Sequence, residues 1–450
     1  MRIYTTDSLF AWDRLEDAPG LATCRQFLEL LPDAQLLAAL RAYRGKGRND
    51  YPVGILWRVH LLRYLLRHIT MDACLAELER NPALRQLAGI EDGQKLPEAW
   101  NMSRFAEVLG RPEHLALLEE MFRKLIGRLG EAVGDLGVHV AGDSAALNAR
   151  RDRAPEHTPL PQPDGARKEY TDAAGRVVRI LEWFGYKFHL LVDIRHEVAL
   201  AWRITPASTA DVTQIPALLE QARSVLPAGR IQTLAYDKAA DDEQTHALLA
   251  AQHIKPLIEN RSLWKQEHER MLPKHDGNSN VVHDEAGTIY CYDKVAAVPV
   301  RHQMAYIGYE KSRATLKYRC PARHEGWACP SDKKCNGCSP YGKTVRVPIT
   351  IDLRRFPPIP RATKEFERRY NGRTAVERVN ARTKLFWGAD DGNVTGAQRF
   401  HGHLASIMLV HAGFAHLLAM TPRHEGQSLS PVRLSVIARR LHQAAAQAAA

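Results

Sequence analysis

The spacing of apolar residues changes character once along this chain, and that change constrains the fold more than any other feature. From about Ser8 to Gly130 apolar residues recur three and four positions apart, as in Val53 to Ile69, Met71 to Leu78 and His114 to Leu129. This spacing predicts amphipathic helices. Asn81-Pro82 reads as a helix cap followed by proline in the first turn, and Gly89 and Gly110 read as helix stops. After Gly134 short apolar runs take over, and Gly137 to Ala141, Gly185 to Ile194 and Val198 to Ile204 predict strands. Arg150 to Gly175, rich in proline and charge, reads as a mobile loop.

Asp211 is placed to cap a helix whose Ile215, Leu218, Leu219, Ala222, Val225 and Leu226 share one face. A strand from Ile231 to Tyr236 then runs into Asp237, followed by a helix from about Asp241 to Gln252 and a strand from Ile254 to Ile258. Strands in succession, then alternating with helices, predict an α/β core with a mixed sheet, the plan of ribonuclease H-like folds. From Arg261 to Ile351 the helical pattern gives way to β-favouring pieces (Gly287 to Tyr292, Thr315 to Arg319, Thr344 to Ile351) set among turns and cysteines. Helical spacing returns from Thr363 to Leu385 and from Ala397 to Met420, before a low-complexity end at Ala444 to Ala450. The division that follows is a helical region at 1–130, a first part of the core at 131–260, a β-rich insertion at 261–354, a second part of the core at 355–422 and a basic, Ala-rich tail at 423–450.

With 450 residues, 45% of them hydrophobic, the chain can bury a large core. Its longest apolar stretch, His403 to Met420, is close to membrane-spanning length, but His403, His411 and His416 interrupt it, so a buried core helix is expected and no membrane. Asp7, Asp13 and Glu16 fall where a signal peptide needs apolar residues, which predicts a cytoplasmic protein. The net charge of +11 favours a polyanionic partner, because each cation set on a phosphate releases condensed counterions.

Among 51 acidic residues, position has to select the chemical ones. Asp143 closes an apolar strand in Gly142-Asp143-Ser144, and Asp237 closes another in Leu234-Ala235-Tyr236-Asp237. Carboxylates at strand ends stand where open sheets place their sites. Each also has a plain structural use, Asp143 as a turn residue and Asp237 as a helix cap, although Asp241 or Asp242 is better placed for capping. In the segment Tyr370 to Lys384, Arg373, Glu377 and Lys384 fall within roughly 40° of one another around a helix. One carboxylate and two cations thus share a face, either as a reacting surface or as a solvated Arg-Glu pair. Arg354, Arg355, Arg361, Lys364, Arg368, Arg369, Arg378 and Arg382 surround this helix and suit the lining of a DNA channel.

The spacing Tyr370-x2-Arg373-x3-Glu377-x6-Lys384 matches at all four positions the signature of bacterial insertion-sequence transposases in the DDE superfamily. Gly142-Asp143-Ser144 resembles the family's first Asp segment, and Asp237-Lys238 through Asp241 its second, with Ala239-Ala240 where the family usually carries Gly-Tyr. Gly185-Tyr186-Lys187 with Pro206 to Asp211, and the helical region ending in Asn101-Met102-Ser103-Arg104-Phe105, are also similar to family segments. The resemblance implies a ribonuclease H-like catalytic core interrupted by the insertion, and an all-helical N-terminal DNA-binding domain. It implies catalysis by Asp143, Asp237 and Glu377 holding two Mg²⁺ or Mn²⁺ ions, roughly 4 Å apart in such sites. Tyr370, Arg373 and Lys384 would grip phosphates or a flipped base. The implied substrates are double-stranded DNA, the element's terminal inverted repeats and the target, bound by a dimer assembled on DNA. Two rival readings are a non-catalytic DNA-binding protein derived from a transposase, and a ribonuclease H-like nuclease that cuts without joining.

Cys320-x8-Cys329-x5-Cys335-x2-Cys338 suits a structural zinc site of four thiolates, with His324 as a substitute ligand, or else a set of reduced buried thiols. Gly337-Cys338-Ser339-Pro340-Tyr341-Gly342-Lys343-Thr344 satisfies the phosphate-loop pattern by letter, but it follows cysteines and leads into a strand-like run, so no nucleotide site is expected.

Overall fold

The computed structural model describes residues 19–420, apart from 47–49, 92, 151–157, 173–175, 266–267, 273–279, 294, 296–297 and 391–393. The tail expected at 423–450 lies outside the described residues. Helices α1 (Pro19–Leu30), α2 (Ala34–Arg44), α3 (Val53–Leu65), α4 (Met71–Arg80), α5 (Pro82–Ala88), α6 (Ala99–Leu109) and α7 (Pro112–Ala132) form the first part. Thr70 caps α4 and Asn81 caps α5, each side-chain oxygen accepting from a backbone N–H three residues on, at 3.2 and 3.3 Å.

Helix α3 is buried on nearly every face, including Trp57, Val59, Leu61, Leu62 and Tyr64, because α1, α2, α4, α5 and α6 pack around it and a helix from the far end of the chain covers a further side. That helix, α14 (Ala397–Met420), is long and apolar enough to cross a membrane, yet Leu404 through Gly413 are all buried within the protein. Its His403, Ser406 and His411 find partners there: Tyr64 Oη lies 2.8 Å from His403 Nδ1, His60 Nε2 3.0 Å from Ser406 Oγ, and the Ala199 N–H donates to His411 Nε2 at 3.0 Å. Burial pushes His60, His403 and His411 down to about 3, so all three stay neutral. One apolar core runs from Phe27 through the sheet to Ala415.

The main sheet contains β1 (His139–Asn148), β2 (Asp164–Thr171), β3 (Val177–Asp193), β4 (Ala199–Pro206), β5 (Thr233–Tyr236) and β6 (Lys255–Ile258). Its order is β2-β3-β1-β5-β6, with β4 also on β3. The long β3 carries β2 on its first half and β4 on its second, both antiparallel. Strand β1 is antiparallel to β3 but parallel to β5, which is parallel to β6. Helix α8 (Ile215–Val225) precedes β5 and α9 (Glu243–Ala251) precedes β6.

The segment read as a mobile loop needs correcting. Asp164–Thr171 is β2, zipped to Val177 through Gly185 in an antiparallel ribbon. Exposed Val177, Val178 and Ile180 sit opposite a strand rich in charge, so neither strand shows the one-sided apolar alternation that marks a half-buried strand.

After β6 the chain enters two small sheets. One holds β7 (Arg270–Met271), β8 (Val281–His283), β9 (Ile289–Asp293) and β10 (Val300–Gln303), and the other β11 (Ala305–Glu310), β12 (Thr315–Arg319) and β13 (Thr344–Pro348). Short helices α10 (Pro321–Glu325) and α11 (Asp332–Asn336) lie between β12 and β13. Leu272, Val281, Ile289, Met304, Leu316, Tyr318, Val345, Val347 and Phe356 form a separate small core. The entry and exit of this region meet at one buried carboxylate. Asp241 accepts from the Arg261 N–H at 2.8 Å and faces Arg354 at 2.8 Å and Arg361 at 2.9 Å. The chain then forms α12 (Lys364–Tyr370), a tight turn at Asn371–Arg373, and α13 (Thr374–Trp387). The protein is therefore a mixed α/β chain, helical over residues 20–132 and sheet-rich beyond.

Candidate active site

Register brings the two aspartates together. In the parallel β1–β5 ladder His139 pairs with Thr233 and Ala141 with Ala235, so continuing it sets Asp143 level with Asp237. The β5–β6 ladder, continued from Tyr236 opposite Ile258, sets Asp237 level with Glu259. Asp143 lies within β1 rather than closing it, as the sequence had suggested, because β1 continues alongside β3 to Asn148, whereas Asp237 and Glu259 stand where the chain leaves β5 and β6; the three carboxylates form one row across adjacent parallel strands. Glu259 was missed in the sequence, although it follows β6 as directly as Asp237 follows β5.

Below the row lies Tyr236, fully buried, with its hydroxyl lacking a hydrogen-bond partner among the described residues. Its ring fills the space over Gly142, where a Cβ would come within 2.3 Å of the Tyr236 ring, so that position has to be glycine. Asp143, Asp237 and Asp211 all act electrostatically on this phenol, which burial keeps protonated. Burial pushes the Asp143 carboxyl up to about 6; Asp237 and Asp211 add to the rise, and the Ser144 N–H and Arg373 oppose it. Asp237 accepts from the Ala239 N–H at 3.0 Å, so it does cap the short turn at Lys238–Ala240, while Asp242 caps α9. Asp211 does not cap α8, as the sequence had suggested: a short turn at Asp211–Gln214 intervenes, and its carboxylate lies 3.0 Å from Lys187 Nζ on β3.

Helix α13 supplies the other half of the site. It packs close to the sheet because Gly372 abuts Ile194, whose Cγ2 a Cβ at that position would meet at 2.6 Å. Glu197, buried in the turn after β3, binds Arg378 and Arg382 and so fixes the helix along its length. Arg373 reaches across the gap, 3.6 Å from Asp143 Oδ2 and 3.0 Å from Glu377 Oε1. Glu377 is half exposed and faces Asp143 through that guanidinium. Tyr370 stacks on Phe366, carries the Arg373 guanidinium over its ring at 5.8 Å and lies beside Glu259. Lys384 donates to the Ala146 carbonyl at 2.5 Å and lies 3.4 Å from Asp390, tying α13 to the far end of β1.

Among the described residues no three side chains of ligand type stand close enough together to hold an ion as they are. The donor set nevertheless fits a hard divalent cation: all-oxygen ligands, mutually repelling, around an unpartnered hydroxyl, with Arg373 the cation between Asp143 and Glu377.

Most of the basic residues expected to line a DNA channel have acidic partners in the free protein. Arg354 and Arg361 neutralise Asp241, Arg355 pairs with Asp352, Arg369 with Glu365, and Arg378 and Arg382 with Glu197. Lys364 and Arg368 of that set are exposed. In the insertion, Cys320, Cys329 and Cys335 line one cavity together with Cys291, whereas Cys338 is exposed and apart from it. The Gly337 to Thr344 segment runs from α11 into β13, the reverse of the strand-to-helix order of a phosphate loop.

Residues 149–412, more than half of the chain, match the family described as Transposase DDE domain, and residues 14–107 match one described as Transposase domain (DUF772). No curated protein matches the chain. Two transposase families thus cover most of the helical part and most of the sheet, together with α13, and the chain belongs to the transposase DDE domain family.

Proposed function

We propose that this transposase cleaves DNA at the ends of its insertion sequence and joins the freed 3′-hydroxyls to target DNA, with Asp143, Asp237 and Glu377 as the ligands of two Mg²⁺ ions. The observation that carries the reading is the level placement of Asp143 and Asp237 on adjacent parallel strands, with α13 setting Glu377 across Arg373 from them. The sheet, in which β1, β3 and β4 are antiparallel, β2 extends β3 as a ribbon, and β5 and β6 follow parallel to β1, supports a ribonuclease H-like core split at Ile258 by the insertion.

Bound there, a pair of ions would activate the attacking oxygen and neutralise the leaving one in an in-line displacement at phosphorus. The chain's own residues have separate duties. Asp143 and Asp237 hold their positions through the sheet, so their spacing is preorganised. Arg373 balances the carboxylates' charge and is the cation best placed to take a non-bridging phosphate oxygen. Tyr370 offers an aromatic face beside it, held by Phe366 and suited to stacking on a displaced base. Lys384, anchored by a backbone carbonyl and Asp390, contributes positive charge where the DNA strand would leave the site. The helical region would bind the terminal inverted repeats, and joining two ends in one reaction calls for a dimer on DNA.

The test is cleavage of a DNA fragment carrying the element's own ends, with Mg²⁺, by wild type and by Glu377→Gln. Cutting at the ends followed by joining, both lost in the variant while its fold and end binding persist, is the expected result. Equal cutting by both proteins would remove Glu377 from the site. End binding without cutting by wild type would make the protein a binder only, and cutting without joining a nuclease.

A further inference from the structure

Four cysteines from separate places in the insertion meet at one point. Cys291 lies in β9, Cys320 at the turn from β12 into α10, Cys329 between α10 and α11, and Cys335 within α11. All four line one cavity of about 20 Å³, room for roughly one water-sized sphere. Cys291 and Cys329 are each in electrostatic reach of Cys320 and Cys335, and of one another. Cys338 closes the Cys-x2-Cys pair in the sequence, yet it is exposed and absent from the cavity wall.

Two of the sulfurs accept side-chain amide hydrogen bonds. Asn280 Nδ2 donates to Cys335 Sγ and Asn336 Nδ2 to Cys320 Sγ, each at 3.4 Å. Both amides are oriented by Lys343, whose Nζ donates to Asn280 Oδ1 at 2.9 Å and whose backbone N–H donates to Asn336 Oδ1 at 2.6 Å. That ammonium stands beside a centre which four thiolates around a divalent ion would leave doubly negative. Partners of this kind, donating to ligand sulfur and offsetting charge, are what a metal–thiolate site requires around it. The insertion also has reason to need a staple. Among the described residues its apolar core comprises nine buried side chains from Leu272 to Phe356, joined by sheets of two- to six-residue strands, and regions with so little core are commonly completed by a metal or disulfides.

We propose that Cys291, Cys320, Cys329 and Cys335 bind one zinc ion that holds the β-rich insertion together, and that Cys338 takes no part. Four soft sulfur ligands select Zn²⁺ over the Mg²⁺ suited to the carboxylates. The sulfurs stand further apart than a bound ion holds them, so binding contracts the cavity. This site is independent of the proposed DNA chemistry, since its residues lie in the insertion and its readout is metal content.

The experiment uses the full chain purified in reducing buffer, loaded with Zn²⁺, gel-filtered and assayed for metal. Wild type and Cys338→Ser are expected to carry about one zinc per chain and Cys291→Ser none. Should Cys291→Ser fail to fold, Co²⁺ loading decides: intense sulfur-to-cobalt bands of a tetrahedral four-thiolate site, the same in wild type and Cys338→Ser, support the assignment. Zinc lost on Cys338→Ser and kept on Cys291→Ser would overturn it. So would a wild type that retains no zinc and whose cysteines all react freely with a thiol reagent in the folded state.

Discussion

Replacing Asp143 with asparagine should abolish activity and stabilise the protein. Burial, aided by Asp237 and Asp211, lifts the Asp143 carboxyl from the ordinary 3.8 to about 6, in spite of the Ser144 N–H and Arg373. At about 1.4 kcal/mol per unit, keeping it ionised in the folded chain costs about 3 kcal/mol. Because the side chain retains 24% of its exposure, solvent screening reduces this to about 2 kcal/mol. A carboxyl whose folded pKa is raised favours the folded state while it is protonated. That contribution is complete below about pH 4 and is lost as the pH rises through about 6. The amide of the variant cannot ionise, so Asp143→Asn should exceed wild type by about 2 kcal/mol at pH 8 in Mg²⁺-free buffer, with the gap closing between pH 6 and 4. Denaturant unfolding at a series of pH values measures it. Added Mg²⁺ should raise the stability of wild type and leave the variant unmoved, since a ligand stabilises only the state that binds it. Equal stability at pH 8, or a gap that acidification leaves unchanged, would refute the claim that burial, aided by Asp237 and Asp211, holds the Asp143 carboxyl above its ordinary range.

Three further outcomes follow from the packing. Gly142→Ala sets a methyl group 2.3 Å from the buried Tyr236 ring, so thermal unfolding should show a loss of about 1–3 kcal/mol and cleavage should fall about tenfold or more as the aspartates shift. Asp241→Asn leaves Arg354 and Arg361 buried without their counter-charge; a loss of about 3–5 kcal/mol is expected, and limited proteolysis should show earlier cleavage in the insertion than in wild type. Glu197→Gln weakens the grip on Arg378 and Arg382, and should lower the cleavage rate while leaving the helical circular dichroism signal unchanged.

Much of the site was legible because it depends on short-range order. The apolar run into Asp143 and the run into Asp237 are strands in the structure, and a parallel ladder between them needs only one register to set the two carboxylates level. Glu377 sits on a helix whose three- and four-residue spacing is equally local. What escaped notice depends on partners remote in sequence. Six of the eight basic residues around α13 are engaged by acids, and Asp241 and Glu197, which take four of them, lie over a hundred positions away. Cys291 stands apart from the other cysteines in sequence and beside them in space, so spacing alone favoured Cys338. The ribbon of β2 and the start of β3 exposes both its faces, and alternation has nothing to report there.

The position of α14 governs when the protein can assemble. Helix α3 buries His60 and Tyr64 against a helix that begins at Ala397, so that side of α3 emerges from the ribosome uncovered. At about 5–20 residues per second, roughly twenty seconds to over a minute pass before the covering helix is made. Through that interval the uncovered side of α3 is an aggregation-prone surface. The helical region therefore completes its packing only once α14 has been made, and a product truncated before α14 is expected to leave the His60 and Tyr64 side of α3 exposed.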